Sequence, residues 1–274
     1  MLDRSTTLVP TRLGRIAVHE LGSGPVAVLW HSMFVDSSSW DRVVEPLSAH
    51  RRLLVVDGPG YGRSDELRRT STIAEAARAA EDLLDVLGVT EPVDWVGNAW
   101  GGHLGYQLAG TSPQRLATVV AISAPPLALP RAERRKLRVL SYVVRAVGPI
   151  AVLRKMIAEA QLTEATRAND PEAVGYINRA VQGVSRRSLA NTLRSFIVGR
   201  TDLAAEAAAG TMPYLFLASD DRGEMTPEDA QTMADQCADA TVHVVRGART
   251  LVPLEQPAAV VEEILSFWQR HQRR

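Results

Sequence analysis

Short runs of Val, Leu and Ile alternate along this chain with Ala-rich amphipathic segments, and few architectures accept that alternation. PVAVLWHS (25–32), RRLLVVDGPG (51–60), PVDWVGNA (92–99), LATVVAISAPP (116–126), MPYLFLAS (212–219) and ATVHVVRG (240–247) each read as a buried strand. SSSWDRVVEPLSAH (37–50), TIAEAARAAEDLLDVLG (72–88), WGGHLGYQLAG, TPEDAQTMADQCA and QPAAVVEEILSFWQR fall between or after them and read as helices. The second is capped by Ser71 or Thr72 and closed by Gly88. Such a rhythm predicts an α/β fold with a largely parallel sheet covered by helices. TTLVPT and GRIAVHEL, joined near Gly14, predict an opening hairpin.

The rhythm breaks between Leu127 and Gly210, where helical periodicity continues without strand signals: RAERRKLRVLSYVVRAV, AVLRKMIAEAQ, PEAVGYINRAVQGV, SLANTLRSFIV. The expected organisation is a core of residues 1–126 and 211–274 with a helical cap, 127–210, inserted over the sheet. The 274 residues suffice for that arrangement. Arg131, Arg134, Arg135 and Lys136 in the insertion admit an anionic partner, though a solvated helix face is the simpler reading.

Charge excludes some classes of partner. Lys plus Arg and Asp plus Glu each number 31, so no net field favours nucleic acid or an anionic membrane, and neither is expected as a partner. Cys237 stands alone, so no intrachain disulfide forms. No H-x-x-x-H, Cys pair or acidic cluster has metal-ligand spacing, and neither metal nor cofactor is expected. The first residues lack the charged-then-apolar pattern of a signal peptide and no apolar run reaches membrane-spanning length, which sets a cytoplasmic chain as the expectation. Oligomeric state leaves no mark in the sequence.

Chemistry concentrates in four places. His31-Ser32-Met33-Phe34 follows the third strand, and Asp57-Gly58-Pro59-Gly60-Tyr61-Gly62-Arg63-Ser64 the fourth. Gly97-Asn98-Ala99-Trp100-Gly101 joins a strand to a helix, and Gly247–Pro257 follows the last strand. In this order and on these elements, the motifs resemble the α/β-hydrolase superfamily, in its capped branch of epoxide hydrolases and C–C hydrolases. The resemblance implies an α/β-hydrolase fold, a mostly parallel central sheet flanked by helices, and a pocket under the cap. At such an elbow the central residue takes strained backbone geometry and presents a nucleophile. Here it is Ala99, whose methyl group attacks nothing. The resemblance gives Met33 and Trp100 as oxyanion-type N–H donors, with Ser32 where Gly is usual. The family's base, a His in a loop similar to G-A-x-H-L-x-P-L-E, falls at Thr250 of Gly247-Ala248-Arg249-Thr250-Leu251-Val252-Pro253-Leu254-Glu255. The acid falls at Asp221, with Asp220 one register away and Glu224 a weaker option.

Each remaining candidate carries two readings. His31 is a backbone-bonding structural residue or the nearest surviving imidazole; His103, on the same side of the helix as Ala99, is a satisfied half-buried histidine or a catalytic one. Asp221 is a general base raised by desolvation or a loop relic. Trp40, Trp100 and Tyr142 line an apolar pocket or are core, Asn98 is a further pocket candidate, and Arg249 binds an anionic substrate group or makes a surface ion pair. Asp57 and Arg63 stabilise a turn, and Cys237 is a buried spectator.

Three functions follow. The first is an enzyme that has left the Ser-His-acid mechanism and uses Asp221 or His31 to move a proton in cyclisation, elimination, isomerisation or water addition on a small, mostly apolar substrate, as in bacterial secondary metabolism. The second is an ester, lactone or C–C hydrolase present as an inactive Ala99 variant. The third is a non-catalytic binding protein.

Overall fold

The computed structural model describes residues 5–221 and 223–271. Eight strands form one sheet: β1 (Ser5–Thr11), β2 (Gly14–Leu21), β3 (Val26–Trp30), β4 (Arg52–Asp57), β5 (Val93–Asn98), β6 (Leu116–Ile122), β7 (Tyr214–Ser219) and β8 (Ala240–Val245). Their spatial order is β1-β2-β4-β3-β5-β6-β7-β8. The hairpin β1–β2 and the β2–β4 pair are antiparallel, and every later pair is parallel. The central strands β5 and β7 are buried along their whole length because helices cover both faces.

On one face pack α1 (Val44–Ser48) and the last helix, whose Val260, Ile264, Phe267 and Trp268 meet Leu29, Val55 and Val120. On the other lie α2 (Ile73–Val86) and α3 (Trp100–Thr111), with Ala76, Leu83, Leu104 and Tyr106 against Val28, Trp95 and Val119. Thr72 caps α2 by accepting from Glu75 N, as its position before an apolar run predicts. The single helix expected over 37–50 is instead a 3-10 turn, Ser37–Trp40, followed by the short α1. Pro46 explains the break: in a continuous helix its ring would meet the carbonyl of Arg42, so the helix restarts with Pro in its first turn.

Between β6 and β7 the chain is helical: α4 (Arg131–Val147), α5 (Ala151–Gln161), α6 (Glu164–Asn169), α7 (Pro171–Gly183), α8 (Arg186–Thr192) and α9 (Ala204–Ala208), the last packed on α3. A π-helical turn, Leu193–Val198, continues α8. The remaining helices are α10 (Pro227–Ala234), α11 (Val252–Glu255) and α12 (Pro257–Arg270). Arg42 ties this helical layer to the sheet side, donating to Asp170 and Glu172 and to the Leu254 carbonyl. Among the described residues no helix is long and apolar enough to cross a membrane.

Candidate functional site

The carboxyl ends of the parallel strands open into a cavity of about 410 Å³ beneath α4, α5 and α8. That is where open α/β sheets collect ligands, because loops diverge there and helix N-termini point inward. Ser32, Met33 and Phe34 after β3 and Ala99 and Trp100 after β5 form its sheet side. Leu137, Leu140, Leu153, Ile157, Leu193 and Phe196 give the helical side an apolar surface.

Ala99 holds φ +45°, ψ −103°, a conformation that costs a non-glycine residue about 1–3 kcal/mol. Packing enforces it. A Cβ at Gly97 would strike the backbone of Gly101, and one at Gly101 would strike the carbonyl of Trp30, so strand and helix approach through glycine alone. Ala99 N donates to the Ile122 carbonyl (2.8 Å), fixing the turn to β6. Behind it the Trp100 indole stacks on Phe196 (4.5 Å between centroids) and meets Trp30 edge-on (5.7 Å). A strained, glycine-flanked strand-to-helix turn thus closes around a methyl group.

The loop after β8 is differently organised. Thr250, at the position of the expected base, is buried and lies outside the cavity wall, and its hydroxyl has no protein partner among the described residues. Thr250 N and Leu251 N both donate to the Gln161 carbonyl at the end of α5 (3.1 and 3.2 Å). The Gln161 side chain lines the cavity and accepts weakly from Ser32 Oγ (3.4 Å). Asn98 Nδ2 secures the same loop, donating to the Thr250 carbonyl (2.8 Å) and to that of Ile122 (3.0 Å). Arg249 is also committed: its N donates to Glu255 (2.7 Å), its guanidinium to the Asp221 and Glu159 carbonyls and to the Asp221 carboxylate (3.1 and 3.2 Å).

Several expected site residues therefore stand elsewhere. The Asp221 carboxylate, 37% exposed, pairs with Arg249 instead of facing the cavity, while Asp220 accepts from Gly247 N (2.8 Å). His31 has both ring nitrogens engaged: Nδ1–H donates to the Ser32 carbonyl, and Nε2 accepts from Gly58 N (2.8 Å). Burial lowers its pKa, so it stays neutral and points away from the cavity. Trp40 belongs to the core on the far face of the sheet. Tyr142 lies on the outer surface of α4, 57% exposed, beneath the Arg194 guanidinium (5.3 Å).

The cavity's charged corner joins residues that the sequence did not connect. Arg200, 6% exposed, sends Nη1 to Glu224 Oε2 (3.2 Å) and lies 3.4 Å from His103 Nε2. His103 Nε2 also lies 3.0 Å from the Pro125 carbonyl and donates to it, so the contact with Arg200 is one between two donors. Burial, and then the Arg200 charge, hold the His103 pKa well below its usual range, and the imidazole is neutral. Glu224 lines the cavity and keeps 38% of its side chain exposed. Burial raises its pKa, and Arg200 opposes that shift only in part. The only clue to Arg200 in the sequence is a lone cation inside the apolar stretch SFIVGRTDL.

A family model described as "Alpha/beta hydrolase family" matches residues 27–263. Epoxide hydrolase B of Mycobacterium tuberculosis is 32% identical over 137 residues, covering 46% of this chain and 37% of that protein. A 2-hydroxy-6-oxononadienedioate/2-hydroxy-6-oxononatrienedioate hydrolase of Cupriavidus pinatubonensis is 38% identical over 101 residues, 36% of this chain and 32% of that one. The chain thus spans less than half the length of the curated relatives it matches. A thermophilic esterase from Thermogutta terrifontis superposes with a TM-score of 0.89 at 22% identity, over 99% of this chain and 100% of that one, and shares its fold. The chain belongs to the alpha/beta hydrolase family, with epoxide and C–C hydrolases among its relatives.

Proposed function

We propose that this protein moves a proton on a small, mostly apolar substrate held in the cavity, without a covalent intermediate. The reaction class is cyclisation, elimination, isomerisation or water addition. One observation carries this reading: a carboxyl group whose pKa burial raises, Glu224, faces an apolar cavity that it shares with Met33 and Trp100. Protonated, Glu224 donates to a leaving or carbonyl oxygen; ionised, it takes a proton from carbon, with Arg200 stabilising that form. The N–H groups of Met33 and Trp100, the latter at the positive end of α3, stabilise the enolate or alkoxide that forms. In this reading Glu224 takes the role first assigned to Asp221 or His31, both of which are occupied by other partners.

Hydrolysis by the route of the esterase relatives needs a nucleophile and a base, and Ala99 and Thr250 supply neither. The extent of the apolar lining favours one further reading, a carrier that binds without reacting.

Proton transfer is tested by exchange of α-hydrogens in heavy water, followed by NMR across a panel of apolar cyclic and open-chain ketones. Exchange above the buffer rate is expected, lowered about 100-fold or more by Glu224→Gln and unaffected by Asp221→Asn. Exchange that survives Glu224→Gln overturns the assignment. A small molecule retained through native mass spectrometry without exchange supports the carrier, and p-nitrophenyl ester turnover by Ala99→Ser supports an inactivated hydrolase.

A further inference from the structure

Helix α4 carries apolar residues on two sides. Leu137, Leu140 and Val144 face the cavity or the core. Val139, Val143 and Val147, at i, i+4 and i+8, form a second stripe that faces solvent with exposures of 59%, 47% and 53%. Ile150 and Val152 extend it across the turn into α5, exposed by 48% and 66%. Of the eleven large apolar side chains exposed among the described residues, eight fall between Leu127 and Met156, which concentrates the feature on one part of the surface.

The charge around this stripe is equally uneven. α4 holds six basic residues and a single acidic one, Glu133, in a chain whose charges sum to zero. Arg135 and Lys136 are exposed on the stripe's own side of the helix, and Arg131, Arg138 and Arg145 lie further round the same solvent-facing arc, while Arg134 turns inward to the Arg200 carbonyl (3.3 Å). Arg154 and Lys155 continue the basic character on α5.

We propose that this outer face of α4, with the start of α5, docks the protein on an anionic lipid surface. An apolar stripe flanked by arginines matches the two layers of a bilayer interface: acyl chains receive the valines while phosphates meet the guanidinium groups. A second copy of the chain fits this face poorly, because a twofold contact through it sets two basic helices against each other. Met156 lies at the junction, 52% exposed and also lining the cavity, so the cavity opens beside the docked face. An apolar substrate reaches it from the lipid without crossing water. The balanced overall charge concealed this asymmetry, and the expectation of no membrane partner rested on that balance.

Flotation of the full chain with vesicles tests the docking. Partition onto vesicles of phosphatidylcholine with phosphatidylglycerol is expected, with little onto phosphatidylcholine alone, and high salt weakens it. Arg135→Ala and Arg138→Ala should each lower partition about fivefold. Val143→Asp with Val147→Asp should lower it about tenfold or more while leaving the circular dichroism spectrum and Tm unchanged, since both side chains are already in solvent. Three results overturn the proposal: no partition onto the anionic vesicles, partition that the valine variant does not weaken, or a dimer in ultracentrifugation that the same variant splits into monomers. Docking is read without substrate, so its failure leaves the proton-transfer reading standing.

Discussion

The turn after β5 and the loop after β8 hold Ala99 and Thr250 at the positions where a nucleophile and a base were expected, and their surroundings are organised in opposite ways. At the elbow only the side chain differs: the strained φ, the glycine contacts and the cavity-facing position of Ala99 remain. In the β8 loop, residue 250 lies outside the cavity wall, the N–H groups of Thr250 and Leu251 are spent on the end of α5, and the Asp221 carboxylate is paired with Arg249. One region keeps a strained geometry around a methyl group. The other is held by bonds to α5 and to its own neighbours. A function that needs oxyanion donors but neither serine nor histidine is consistent with that asymmetry.

The contrast can be broken by mutation. Gly101→Ala forces a Cβ into the Trp30 carbonyl, and a loss of about 3 kcal/mol is expected in denaturant unfolding. A smaller loss would show that the elbow yields. Thr250→His puts a larger ring into a fully buried site and should cost about 2 kcal/mol, whereas Ala99→Ser should stay within about 0.5 kcal/mol. The reverse order of costs would mean that the β8 loop, not the elbow, is the intact half. The double variant should still fail to turn over p-nitrophenyl esters.

Glu224 supplies a sign that can be checked. Its folded pKa lies above the ordinary 4.5, so between those values the native state binds more protons than the unfolded one. Stability should therefore fall as pH rises through that window, only slightly because the carboxyl is 38% exposed and screened by solvent, and Glu224→Gln should flatten this part of the Tm–pH curve. An unchanged curve would place the carboxyl in water. The smallest effect sharpens the view of the elbow: Ala99→Gly relieves the positive φ and should raise stability by about 0.5 kcal/mol, instead of the loss that glycine brings at ordinary positions.

Legibility in the sequence followed the range of the interactions. The strands showed because burial on both faces writes continuous apolar runs, and the elbow showed because its glycines and Ala99 are consecutive. Met33, Trp100, Ser32 and His103 do line the cavity, as positions tied to strand ends allow. Tyr142 and Trp40 misled because an aromatic side chain carries no mark of which side it faces. Arg249 and Asp221 were legible singly, and their pairing was not. Arg200 and Glu224 are separated by α9 and β7 and meet only once the helical layer closes over the sheet, so no local pattern announces them.

The π-helical turn at Leu193–Val198 has a consequence for how this cavity is assembled. A π turn accommodates one residue more than an α turn of the same rise, so everything after it is rotated by about 100° from where an uninterrupted helix would leave it. Phe196, Ile197 and Arg200 lie in or just beyond that turn, and all three reach the cavity. Winding the same residues at α pitch would swing the guanidinium off its carboxylate without altering one atom of either side chain, whereas removing one residue along with the change of pitch would keep the phase. The contact between Arg200 and Glu224 is thus set by helical phase, and it holds only while the number of residues in this turn matches its pitch.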